Sequence, residues 1–148
     1  MSDDFYSLQT DDVKIVQGDT VNLEYQFVDS DGSVIDITSY DAKFTVRDPE
    51  TDEVVSMLTG ITTFSKRHND VVVGGQGIYF YNDTQVAAAS LGITTPNQMV
   101  IILDFADTQG LDAGVSYPFD VELSKYGNSG VRVTAVRGHL LVAKEQTQ

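Results

Sequence analysis

Residues Val21 to Asp48 read VNLEYQFVDSDGSVIDITSYDAKFTVRD. In the first nine, Val21, Leu23, Tyr25 and Phe27 alternate with Asn22, Glu24 and Gln26. That period of two puts the apolar set on one face of a half-buried strand. In AKFTVRD the device repeats, with Ala42, Phe44 and Val46 inward and Lys43, Thr45 and Arg47 outward. Between them DSDGS supplies Asp and Gly turn chemistry, so the stretch reads as strand, turn, strand.

The same reading extends along the chain. Shorter strands are expected at Val13–Val16, Val54–Leu58, Ile61–Phe64, Val71–Val73, Ile78–Tyr81, Met99–Leu103 and Leu140–Ala143, separated by turn residues. Many short strands without long helices predict an all-β, antiparallel sandwich. One short helix is expected near Thr84–Leu91, capped by Asp83 or Thr84 and stopped by Gly92. Near the C-terminus Tyr117, Phe119, Val121 and Leu123 alternate with Asp120, Glu122 and Ser124, and Pro118 requires a strand start or an edge. Val131, Val133 and Ala135 continue the pattern. Phe119, Val121 and Val133 are expected in the core, with Glu122 and Arg132 facing solvent. In AVRGHLLV the apolar phase passes from odd to even positions, which a one-residue bulge near Arg137 and Gly138 would accommodate. Upstream, LDAGVSY suits a tyrosine corner, in which the Tyr117 hydroxyl bonds back to the loop at Leu111; the plainer alternative is an inward aromatic with its hydroxyl at the rim.

A chain of 148 residues carries one domain, residues 1–148, with residues 1–12 as an N-terminal arm. Cysteine is absent, which removes thiol catalysis, thiolate metal sites and disulfides. Nine Lys and Arg against 22 Asp and Glu give a net charge of −13, which opposes a phosphate backbone and argues against nucleic acid as a partner. The acidic start MSDDFYSLQTDDVK has no signal-peptide character, and no apolar run reaches membrane length, so a soluble protein with no membrane partner is expected.

No catalytic, cofactor or metal residue emerges. His68, flanked by Ser65 and Asp70, stands in the polar loop SKRHND, and His139 stands in a strand region; neither has the context of a triad. Asp29, Asp31 and Asp36 are oxygen ligands of the kind calcium takes, yet the glycine falls too early for an EF-hand and the closing Glu is missing, so a plain turn is expected. DPETDE at Asp48–Glu53 reads as a solvated hairpin end, and GGQG at Gly74–Gly77 as a turn or bulge without phosphate-loop chemistry. IYFY puts Tyr79 and Tyr81 on one face, either as an exposed contact patch or as aromatics of a central strand buried on both faces.

The order of features then suggests a family. QGDT leads into an alternating strand; DSDGSVIDITSYDAKFTVRD, YPFDVELS and TAVRGHLLV follow, and a short polar tail ends the chain. From about Val13 to Lys144 this resembles the immunoglobulin-like β-sandwich domains of tailed-bacteriophage structural proteins, notably the N-terminal domain of upper baseplate proteins. The resemblance implies a non-enzymatic part of a virion that serves as a docking module on a tail, baseplate or head. The lack of thiol ligands and of a phosphate-binding turn before a helix predicts no metal or organic cofactor, and the edge strands of a sandwich predict a homo-oligomer or a tight complex with a phage capsid or tail protein. Because the chain stops close to the last strand, it favours a small accessory such as a head decoration or a tail-attached subunit over a baseplate protein. Two other classes are open: an adhesion or carbohydrate-binding sandwich with a platform at Tyr79 and Tyr81, and an enzyme built on a carboxylate pair.

Overall fold

The computed structural model describes residues 9–29, 31–51, 63–66, 77–81, 89–125 and 132–144. The strands are β1 (Gln9–Val16), β2 (Val21–Gln26), β3 (Tyr40–Val46), β4 (Thr63–Lys66), β5 (Gly77–Phe80), β6 (Gln98–Leu103), β7 (Ser116–Lys125) and β8 (Arg132–Ala143), with a short helix α1 (Phe105–Gln109) between β6 and β7. They form two sheets, a five-stranded one ordered β1-β8-β7-β3-β4 and a three-stranded one ordered β2-β6-β5. The protein is an all-β sandwich. Strand expectations at Val54–Leu58 and Val71–Val73 lie outside the described residues. So does most of the helix expected at Thr84–Leu91, of which Ala89 and Ser90 are helical and Gly92, at φ +81°, ends the turn.

Alternation places the core. Leu23, Tyr25 and Phe27 from β2 and its exit face Ala42, Phe44 and Val46 of β3 and Tyr117, Phe119, Val121 and Leu123 of β7, all buried in one cluster. The Phe44 and Phe119 rings lie 5.5 Å apart, tilted by 44°, a geometry that adds ~0.5–1.5 kcal/mol beyond area burial. Val133 is only partly buried against this cluster, while Arg132 is exposed and Glu122 half-buried. Thr45, expected outward, is buried; it stands between Thr63 of β4 and Asp120 of β7 in the middle of the sheet.

Two pairings correct the sequence reading. β1 runs parallel to β8, from Gln9 opposite Val136 to Val16 opposite Ala143. A parallel neighbour needs a long connection, and here that connection is nearly the whole sandwich, since β1 turns directly into β2 of the other sheet. Residues Gln9–Asp12 are therefore strand and not an arm. The bulge also lies earlier than expected: Val121 pairs with Val136 and Glu122 with Thr134, so the extra residue is Ala135 and not Arg137 or Gly138. Ala135 and Val136 are both buried, and an inserted residue is what lets two successive side chains point into one core.

Gly138 has a different role. A Cβ there would lie 1.7 Å from the Asp11 carbonyl oxygen, so only glycine lets β1 pass this closely over β8. Pro118 is near the start of β7 as expected, although β7 is interior to the sheet. Its carbonyl accepts from Arg47 N–H at 2.8 Å. Its nitrogen therefore faces β3 where that strand ends, and no ladder bond is lost to β8.

The sandwich ends are tied by side chains. Asp104 caps α1 by accepting from Asp107 N–H, and the Asp107 carboxylate accepts from Asp104 N–H, both at 3.1 Å. Buried Thr108 donates its hydroxyl to the Asp19 carbonyl at 2.6 Å and accepts from Gly18 N–H at 3.1 Å, fixing the QGDT turn against the helix. Asp112 N–H donates to the Tyr117 hydroxyl oxygen at 2.9 Å. The tyrosine-corner bond is thus present, on a ring that is itself buried in the core.

Candidate functional site

Turn chemistry accounts for the acidic loops. The Asp29 carboxylate accepts from Asp31 N–H at 2.9 Å and Ser33 N–H at 3.0 Å, Gly32 takes φ +81°, and Val28 bridges Val34. One Asp36 oxygen accepts from both the N–H and the hydroxyl of Thr38. These carboxylates are spent on their own backbone, as in Asx turns. Asp48 behaves alike: N–H groups of Glu50 and Thr51 hold its carboxyl below the usual carboxylate range. Among the described residues no group of three His, Asp or Glu could hold a metal ion.

The aromatic platform is not exposed. Tyr79 is 4% accessible and packs with Ile93 and Val100, with Tyr81, Leu91 and Ile102 around them. Segment Leu91–Ile93 covers the outer face of the small sheet, so β5 is buried on both faces as the second reading expected, although it is an edge in the strand order and not central. His139 is exposed at β8, with Nδ1 3.1 Å from an Asp12 oxygen on β1. This is a cross-strand contact between chain ends. His68 and Asp70 lie outside the described residues, and of Ser65 only the backbone position, opposite Lys43, is described.

Asp11 bridges the two sheets. Tyr25 on β2 donates its hydroxyl to an Asp11 oxygen at 2.9 Å, and burial, reinforced by that carboxylate, pushes the Tyr25 hydroxyl pKa up. Gln9 donates to the Gln26 carbonyl at 2.6 Å. Both bonds fasten β1, which has only Ile15 fully buried, across the open edge of β2.

Residues directly opposite one another share a face, which assembles the outer face of the five-stranded sheet. Lys43 stands opposite Glu122, Arg137 opposite Asp120, Arg132 opposite Ser124 and Lys14 opposite Leu141. Arg47, just past β3, reaches Asp120 at 3.7 Å. Burial raises the Asp120 pKa, against the opposing pull of Arg47. Every described Lys and Arg lies in, or next to, a strand of this sheet; β2, β5 and β6 have none. Sequence reading missed this, although Lys14, Lys43, Arg47, Arg132 and Arg137 occupy the outward phase of their strands; Lys66, Lys125 and Lys144 fall in the inward phase at strand ends.

Compared with protein-family models and with curated proteins, the chain matches none.

Proposed function

We propose that this protein is a non-enzymatic virion structural protein of a tailed bacteriophage, an immunoglobulin-like module that docks on capsid or tail proteins as a head decoration or a tail or baseplate accessory subunit. The resemblance in feature order along Val13–Lys144 carries the reading. The sandwich supports it: a first strand parallel to the last and a tyrosine hydroxyl bound at the entry to β7 are arrangements an immunoglobulin-like domain shares. The acidic loops spent on turns and the covered Tyr79 agree with work done by surface contact instead of by a ligand pocket. Other virion proteins are the partners, and the particle is where the protein resides.

Light scattering of the purified protein, alone and mixed with capsid and tail proteins, tests this. Self-association or a stable complex with one of them is expected. A monomer that binds none of them and turns over a small molecule overturns it.

A further inference from the structure

We infer that the outer face of the five-stranded sheet is an interaction surface that docks head to tail on the acidic remainder of a second copy of this chain. The inference rests on the assembly reading above and specifies which surface performs it.

Charge placement is the first argument. The chain carries −13, yet Lys14, Lys43, Arg47, Arg132 and Arg137 all converge on this one face. Its exposed cations outnumber its exposed carboxylates: Lys14, Lys43, Arg132 and Arg137 are exposed, whereas Asp41, Asp120 and Glu122 are half-buried and only Asp12, beside His139, is an exposed acid. The layer a partner meets first is therefore basic. The small sheet offers no equivalent, having no base on its strands and Leu91–Ile93 over its outer face.

Charge complementarity then names the occupant. Away from this face the loops carry exposed Asp31, Asp36 and Glu50, and Lys125 is the one base lining the hollow beside Asp29, Asp31 and Asp36. At physiological salt the Debye length is about 8 Å, so the facing charges at the contact outweigh the net repulsion of two acidic bodies. Two copies meeting face to face would set exposed cations against cations. A basic face on an acidic surface avoids that, and such a heterologous contact propagates into a ring or a chain.

Sedimentation velocity of the full chain tests the inference between low salt at about 0.15 M and high salt at about 1 M, where the Debye length falls from about 8 Å to about 3 Å. Concentration-dependent association at low salt that disappears at high salt is expected. Lys14→Glu with Arg132→Glu changes opposite corners of the face, where the cross-strand neighbours Leu141 and Ser124 are uncharged. Self-association of that variant should weaken about tenfold or more at low salt. Mixed with wild type it should still associate, because its acidic surface is intact. If the reversed variant does not fold, Lys14→Gln with Arg132→Gln should show a smaller loss in the same direction. A wild-type monomer at every concentration in low salt overturns the inference, as does association indifferent to both salt and substitution. So does a folded variant that fails to join wild type. A monomer that nonetheless binds capsid or tail proteins overturns this inference alone and leaves the assembly reading standing.

Discussion

The two sheets solve the same problem differently. In the five-stranded sheet β3 and β7 bury one side chain in two and turn polar or charged residues outward, apart from the enclosed Thr45. In the small sheet β5 and β6 bury nearly every residue, because the core covers one face and Ile93 with its neighbours covers the other. Alternation therefore marks a strand with one covered face, and a continuous apolar run such as Met99–Leu103 marks one covered twice. The consequence bears on the surface: the bases lie on strands of the sheet with the free face, whereas the strands of the small sheet present one charge, Glu24 of β2.

The largest effect that tests this contrast is at the shared core. Phe119→Ala should cost ~3–5 kcal/mol, whereas Glu122→Ala, three residues along the same strand on the outer face, should stay within about 0.5 kcal/mol. Denaturant unfolding compares them, and equal midpoints would break the inward and outward assignment. Next comes Gly138→Ala, whose methyl would collide with the Asp11 carbonyl and push β1 from β8. A cost of ~1–3 kcal/mol is expected, with faster amide exchange in β1 than in β3.

A sharper comparison pairs the two outer faces. Val100→Ala on the small sheet removes two buried methyl groups and should cost about 1–2 kcal/mol, at ~0.8 kcal/mol for each carbon. Lys43→Ala on the large sheet should change thermal stability by less than about 0.5 kcal/mol. If both are silent, the outer face of the small sheet is not covered.

The smallest effect is a titration. The folded-state pKa of Tyr25 is raised above its ordinary value of 10.0, so the folded state holds the proton more tightly than the unfolded chain. The associated stability is present below pH 10.0 and is lost as pH rises beyond it. Melting temperature followed upward from pH 9 should fall less steeply for Tyr25→Phe than for wild type, and an identical slope would remove Tyr25 from the link between β1 and β2.

The sequence determined a good deal unaided. The inward sets of β2, β3 and β7, the turn at Asp29–Gly32, the stop at Gly92 and the all-β class follow from period-two patterning and turn chemistry, which act over a few residues. Helix α1 was not expected, although Asp104 and Asp107 form a capping box and Gly110 follows; its short apolar content hid it among strands. What only the tertiary structure decided involves partners distant along the chain. The parallel pairing of β1 with β8, the need for glycine at 138 beneath Asp11, the bulge at Ala135 and the gathering of five bases on one face each depend on which strand lies beside which. Strand order across a sandwich is set by packing two whole sheets together, and no local pattern encodes a neighbour more than a hundred residues away.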